Sequence, residues 1–165
     1  MTARLTLPTT LLLLLCAVAA KEQPPADSAA MANKLFAAIH DSNWEGFRGL
    51  LPSAKMIHAM SKKEKKKKLK DKQVMNLIEG RVRDGFNGIL ASAKENGVEL
   101  QTLEFVRFQT FRPWEGADRP IALEVFYRWQ GREGSLSFSV MEFKGGWYLL
   151  EILRSVKVFD KVATE

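Results

Sequence analysis

Residues 121–153 read IALEVFYRWQGREGSLSFSVMEFKGGWYLLEIL. Apolar and polar side chains alternate through most of this stretch, and successive side chains of a β-strand point to opposite faces. The glycines at 145 and 146 predict a tight turn before the last apolar run. The stretch therefore predicts three antiparallel strands, and the first of them presents one apolar face made of Ile121, Leu123, Val125, Tyr127 and Trp129.

A fourth strand is predicted just upstream, because ELQTLEFVRFQTF at residues 99–111 is rich in residues that favour strands. Four strands joined by short turns form an antiparallel meander. The second face of the sheet would also be apolar, with Val106, Phe108, Phe126, Met141, Phe143, Tyr148, Leu150 and Ile152 on it. Because such patches usually mark contacts, we expect a homodimer through this face or a cover formed by the tail at 154–165, which could instead prolong the last strand or cover an edge.

Helical periodicity precedes the strands. The Asp-Ser pair at 27–28 predicts the N-cap of a first short helix, which ends near His40. Ser42 and Glu45 have the spacing of a capping box, in which the two side chains satisfy free backbone N–H groups at a helix start. They predict a second short helix, which Pro52 would end because proline cannot continue a helix.

A long helix is predicted next, opened by a second capping box at Ser61 and Glu64. The sequence ENG, ending at Gly97, predicts where this helix stops. Gly85 lies within the apolar side of the helix, and it either lets the helix lie close on the sheet or widens a pocket. The apolar stripe itself comprises Val74, Ile78, Val82, Phe86, Ile89 and Ala93.

These elements predict an α+β fold, with two short N-terminal helices and one long helix packed on a curved four-stranded antiparallel meander. Residues 29–165 are predicted to form a single domain, because one hydrophobic core commonly serves a chain of this length. A proline-containing linker at 21–28 precedes the domain.

The first twenty residues have the features of a secretory signal peptide: Arg4, an apolar run at 11–15 and small residues at 17–20. We therefore expect an exported protein, periplasmic or secreted, with no transmembrane segment in its mature chain. Cys16 offers the alternative of a lipid anchor, although the three leucines before it depart from the usual lipoprotein pattern.

Positive charge is concentrated in SKKEKKKKLKDKQ at residues 61–73, where eight of the residues are lysine. The rest of the chain after residue 20 carries 16 basic and 17 acidic residues. A solvated helix explains the run, since Lys67 and Asp71 have the i,i+4 spacing of a helical ion pair. The alternative is a site for an anionic envelope surface or an acidic partner, formed by Lys62, Lys63, Lys65, Lys66, Lys67, Lys68, Lys70 and Lys72.

Patterns for catalysis, metals and cofactors are missing from the sequence. There is no HExxH motif, no cysteine after Cys16 and no glycine-rich nucleotide motif, so we expect no metal and no cofactor. His40 and Asp41 are adjacent, and we expect their side chains to point in different directions. Nucleic-acid binding is not expected, because the alternating aromatic and basic residues at 105–114 are typical of a half-buried strand.

Two segments, NWEGFRGLLP at 43–52 and KGGWYLLEI at 144–152, resemble the second helix and the last strand of the cystatin-like superfamily. Within it, the likeness is to nuclear-transport-factor-like domains of exported bacterial proteins, and it covers about residues 29–153. The resemblance implies a pocket between the concave sheet and the long helix. Trp44, Phe47, Tyr127 and Trp129 either line such a pocket or are core aromatics.

The sequence thus favours an exported, non-catalytic binding or interaction module. One alternative is an enzyme that uses the pocket, and it requires at least two ionisable groups pointing into the cavity. The other is a binder of anionic surfaces or polyanions through the lysines at 62–72.

Overall fold

The computed structural model of the protein describes residues 24–60, 70–112, 120–155 and 157–160. The fold class is α+β, as predicted, because helices precede a four-stranded antiparallel sheet. The predicted signal peptide and residues 21–23 of the predicted linker lie outside the described residues. The elements are α1 (Ser28–His40), α2 (Trp44–Arg48), α3 (Ala54–Met60), α4 (Asp71–Glu95), a 3-10 turn (Leu100–Thr102), β1 (Glu104–Phe111), β2 (Ile121–Trp129), β3 (Arg132–Phe143) and β4 (Gly146–Ile152).

The sheet is a meander in the order β1-β2-β3-β4, with every neighbouring pair antiparallel. Two-residue turns join β2 to β3 and β3 to β4, and both central residues of each turn have positive φ, at residues 130–131 and 144–145. This is the signature of the type I′ turn, whose twist matches that of the strands. The last turn is therefore confirmed where the glycine pair predicts it, shifted by one residue to Lys144 and Gly145.

The edge of the sheet at β4 is covered by two segments from the N-terminal half of the chain. The backbone N–H of Trp147 donates to the carbonyl of Pro25 at 3.0 Å, and that of Leu149 donates to the carbonyl of Leu50 at 2.9 Å. Unpaired strand edges invite association with other chains. These two hydrogen bonds use donors that an uncovered β4 would present to solvent.

The core lies between one sheet face, which we call the inner face, and the helices. The predicted first strand is confirmed as β2, because its five alternating apolar residues are all buried there. On the helical side, α1 packs on β1 and β2, and α4 packs on β4. Phe47 of α2 is fully buried between them, with ring centroids 5.1 Å from Phe86 and 6.2 Å from Phe138.

Two β-bulges decide which side chains reach the inner face. One lies between Phe105 and Arg107, the other between Ser139 and Val140. The predicted apolar cluster on the second face is therefore wrong for two of its members. Phe108 pairs with the core residue Val125 and Ile152 pairs with the core residue Phe138, so both lie on the inner face. A bulge inserts one residue and reverses the alternation beyond it, which simple counting along the strand misses.

The second short helix starts one residue later than the predicted capping box requires. Asn43 is the N-cap, and its side-chain oxygen accepts from the backbone N–H of Gly46 at 3.0 Å. Ser42 instead adopts the left-handed conformation with φ 51°. The structure contains a further helix, α3, that was not predicted from the sequence. In its first turn, the backbone N–H of Ile57 donates to the carbonyl of Ser53.

The long helix begins at Asp71, so the predicted continuous helix from Ser61 is wrong at its start. Lys70 is the N-cap and has an extended backbone, with φ −65° and ψ 147°. Residues 61–69, which contain most of the lysines, lie outside the described ranges. The Asp71 carboxylate lies 2.9 Å from His58 Nε2, and the predicted pair of Asp71 with Lys67 falls outside the described ranges.

The apolar stripe of α4 is confirmed, and so is the role of Gly85. A Cβ added at Gly85 would lie 3.0 Å from Cβ of Ile152, closer than ordinary van der Waals contact, so glycine favours this close approach of α4 to β4. Gly97 has φ 65° just beyond the helix, and Val98 N–H bonds the carbonyl of Ala93 at 2.8 Å. This confirms the predicted helix stop.

The tail was expected to prolong the last strand or to cover an edge of the sheet. Its described part, residues 157–160, does neither. It lies along the last turns of α4, where the backbone N–H of Phe159 donates to Ser92 Oγ at 3.4 Å and Asn96 donates to Asp160 at 3.2 Å. Phe159 is fully buried, with its ring centroid 5.4 Å from that of Tyr127. The segment thus completes the core on the inner face.

Candidate functional site

The four predicted pocket aromatics all pack into or against the core. Phe47 and Tyr127 have no exposed surface, Trp129 is buried, and Trp44 is half-buried beside Phe86. The guanidinium of Arg83 lies 5.0 Å from the ring of Trp44. Neither of the two surface clefts described below is lined by any of these aromatics, and their role as ligand contacts stays a prediction.

Tyr127 carries the one buried side-chain polar atom that has no hydrogen-bond partner in the described ranges, its hydroxyl oxygen. The ring lies over Gly134, its partner on β3, and against Phe159. Burial raises the pKa of this hydroxyl well above its ordinary value of about 10, because the phenolate would lose its solvation. A neutral, unpaired hydroxyl in an apolar site costs free energy.

Tyr127→Phe is expected to leave the protein at least as stable as the parent at pH 7. Removing an unpaired buried hydroxyl recovers a desolvation cost of about 1–3 kcal/mol. Above pH 10 the unfolded tyrosine ionises while the folded one stays protonated, so the parent loses up to about 1.4 kcal/mol of stability per pH unit that the variant keeps. Urea unfolding of both proteins from pH 7 to 11 measures this difference. If the free energies of unfolding of parent and variant changed equally with pH, the prediction would be contradicted.

The lysine candidates are largely beyond the description of the structure. Lys62, Lys63, Lys65, Lys66, Lys67 and Lys68 fall in the range 61–69, which is not described. Lys70 and Lys72 are exposed at the start of α4. The pair formed by His58 and Asp71 joins the ends of the two helices that flank this range. An anion-binding role for the lysines stays a prediction.

His40 and His58 each lie beside an aspartate carboxylate. In the described ranges, no group of three His, Cys, Asp or Glu side chains is close enough to hold a metal ion. The expectation that His40 and Asp41 point apart is wrong, because His40 Nδ1 lies 2.6 Å from the Asp41 carboxylate. The Asp41 side chain is largely exposed, and the pair lies at the C-terminal end of α1.

The outer face of the sheet, on the side away from the helices, contains a cleft of about 410 Å³. We call it the outer-face cleft, and it is formed by residues of β1, β2 and β3. A smaller notch of about 150 Å³ lies between α1 and α2, beside Lys34, Asp41 and Asn43. The outer-face cleft is lined by Gln109, Thr110, Phe111, Ala122, Glu124 and Ser137.

Among the side chains that line the outer-face cleft, the ionisable one is Glu124. Two neutral hydrogen-bond donors hold its carboxylate in place. Gln109 lies directly opposite on β1, and its Nε2 donates to Glu124 Oε2 at 2.7 Å. Ser135 lies on β3, and its hydroxyl donates to Glu124 Oε1 at 2.6 Å. The carboxylate is thus fixed by rigid strands on both sides, with lone pairs left for a further partner.

Two ion pairs lie on the same face beside the cleft. Arg107 stacks over Phe126, with 3.4 Å between the guanidinium carbon and the ring centroid, and pairs with Glu133 at 3.0 Å. Arg128 pairs with Glu104 at 3.8 Å. The face is therefore more polar than the sequence predicts, because cross-strand pairs place charges next to its aromatic rings.

Sequence reasoning missed the outer-face cleft. Glu124 and Gln109 belong to different strands, and neither residue stands in a recognisable motif. The available signal was a carboxylate within a run of apolar residues, between Leu123 and Val125. Finding its partners required the register between strands, which bulges and turns fix.

Comparisons of the chain with protein-family models, with curated proteins and with solved structures found no match. The α+β architecture therefore rests on the observed elements and their order. The resemblance to cystatin-like and nuclear-transport-factor-like domains stays a prediction. In the ranges that the structure describes, no helix combines the length and apolar character needed to cross a bilayer.

Proposed function

We propose that this protein is an exported, non-catalytic binding module whose ligand occupies the outer-face cleft. The observation that carries the proposal is the preorganised Glu124 carboxylate, held by Gln109 and Ser135 within a cleft of about 410 Å³. Ligand sites commonly combine a concavity of this size with a few convergent polar groups. A site held by neighbouring strands also loses little conformational freedom on binding.

Two features favour binding over catalysis. Glu124 is the ionisable side chain among the cleft residues named above, whereas acid–base catalysis typically needs two such groups in reach of the substrate. Among the aromatics predicted to line a pocket between helix and sheet, Trp44 and Phe47 pack against Phe86, and Tyr127 packs against Phe159. The ligand therefore finds its most favourable site on the outer face.

A blocking substitution tests the proposal. Ala122→Phe places a bulky side chain in the cleft on a strand where phenylalanine is well tolerated. Amide NMR titrations of the parent with panels of small amines, monosaccharides and carboxylic acids are expected to shift resonances of β1 and β2 around residues 109–124. In the variant, the affinity of any bound panel member should fall at least tenfold.

Ala91→Phe is the matched control, because Ala91 is an exposed alanine on α4 and its replacement should leave binding unchanged. Shifts confined to the helices, or no shifts with any panel member, would overturn the proposal. Chemical conversion of a panel member would favour the alternative that the protein is an enzyme. Light scattering on the same samples shows whether a homodimer through the sheet competes for this face.

A further inference from the structure

We propose that the outer-face cleft recognises an organic cation, a ligand with an ammonium or guanidinium group on a short apolar stem. This inference rests on the proposed function, since it names the ligand class of the same site. Three observations carry it: an unneutralised carboxylate, an exposed aromatic ring beside it, and a neighbouring site on the same face where the protein already holds a cation in this way.

The carboxylate of Glu124 has no cationic partner among the described residues. Its two hydrogen bonds come from the neutral side chains of Gln109 and Ser135. The nearby arginines of this face, Arg107 and Arg128, are paired with other carboxylates. Among the described residues, no cation compensates this negative charge, and a carboxylate held in a fixed position favours a positively charged ligand and repels an anion.

The aromatic component is Phe111, whose ring is 66% exposed at the end of β1. Phe111 pairs with Ala122 across the strands, two residues from Glu124 on the same face of β2. Diagonal neighbours of this kind are within reach of aromatic and long side chains. A cation bound to Glu124 can therefore contact the face of a phenyl ring, an arrangement that is electrostatically favourable.

The same chemistry is already present a short distance along the sheet. Arg107 lies between the ring of Phe126 and the carboxylate of Glu133. Phe111 and Glu124 repeat the ring and the carboxylate without a cation from the described chain. Both pairs lie on one sheet face, so the first shows that this surface accommodates a cation between a ring and a carboxylate.

The size of the cleft limits the ligand to a small molecule. A volume of about 410 Å³ is at the low end of the range for small-molecule sites. A neutral sugar is less well matched, because the amide of Gln109 and the hydroxyl of Ser135 already donate to Glu124. An alkylammonium ion needs only acceptors and an apolar contact, and the cleft presents both.

The test uses four probes that share a short unbranched alkyl chain and differ in the head group: n-butylammonium, n-butyltrimethylammonium, n-butanol and n-butyrate. Amide NMR titration of the intact protein is expected to show binding of the two cations in the cleft, with at least tenfold weaker binding of butanol and butyrate. A higher salt concentration should weaken the binding of the two cations and leave that of butanol unchanged, since the attraction is electrostatic. Equal binding of butanol and butylammonium would overturn the inference.

Glu124→Gln removes the charge and keeps an acceptor oxygen, so butylammonium affinity should fall at least tenfold. Phe111→Leu, at an exposed position, should reduce butyltrimethylammonium affinity several-fold. Glu151→Gln is the matched control, because Glu151 is an exposed carboxylate on β4, and it should bind as the parent does.

The outcomes separate this inference from the proposed function. Unchanged cation binding in Glu124→Gln, with an intact amide spectrum, would overturn the ligand class. Binding of glucose or butyrate at the same residues, without cation binding, would overturn the inference and leave the proposed function standing. Loss of every ligand shift on the outer face would overturn both.

Discussion

Phe47→Ala is expected to lower the free energy of unfolding by about 3–5 kcal/mol, the range for deleting a fully buried phenylalanine. The side chain has no exposed surface and lies between Phe86 of the long helix and Phe138 of the sheet. Its removal leaves a cavity where α2, α4 and the sheet meet. The surrounding rings are held by rigid elements, so they can close this cavity only in part. Denaturant unfolding measured by circular dichroism gives the value.

The matched control for this substitution is Phe111→Ala. Phe111 is 66% exposed on the outer face, and an exposed side chain should change stability by no more than about 0.5 kcal/mol. A loss below about 1 kcal/mol in Phe47→Ala, or similar losses in both variants, would contradict the central position of Phe47. The comparison keeps the residue type constant and varies only burial.

Gly134→Ala is expected to lower the free energy of unfolding by about 1–3 kcal/mol, the usual cost of overpacking a core. A Cβ at this position would lie 2.5 Å from Cζ and 2.9 Å from Cε2 of Tyr127. The ring cannot easily retreat, because Phe159 lies on it with a centroid distance of 5.4 Å. Thermal and urea unfolding both measure the loss.

A double-mutant cycle and a second glycine sharpen this test. In a Tyr127→Leu background the ring is gone, so Gly134→Ala should cost much less. Gly80→Ala should instead raise stability by about 1 kcal/mol, because nothing lies within 4 Å of its Cβ position and alanine favours a helix interior. If Gly134→Ala were neutral in the parent, the contact with Tyr127 could not be as close as described.

The strands and the body of the long helix follow from the sequence because their side-chain periods are regular. Strand β2 keeps alternation through nine residues, and α4 keeps its apolar stripe from Val74 to Ala93. The starts of α2 and α4 differ from the prediction, because a capping-box spacing also occurs at residues 42–45 and 61–64. The second of these spacings lies outside the described ranges. Asn43 and Lys70 cap the helices instead, since local backbone geometry selects among several polar residues nearby.

The candidate site could not be read in the same way. The pocket aromatics were chosen by residue type, and type alone does not distinguish a core ring from a ligand contact. Glu124 can be recognised as a candidate binding residue only from the sheet register, which places Gln109 and Ser135 beside it. Glu124 on β2 and its two donors on β1 and β3 come from three different strands, so no window along the chain contains the pattern.

The sequence by itself determined the fold class, the strand order and the face of α4 that is buried, because alternation and helical period are local consequences of backbone geometry. Only the tertiary structure decided where the bulges shift that alternation, that Phe159 completes the core beside Tyr127, and that Gln109 and Ser135 hold the Glu124 carboxylate from two neighbouring strands. These features depend on which distant segments meet. Packing and register determine that, and the period of a single segment does not.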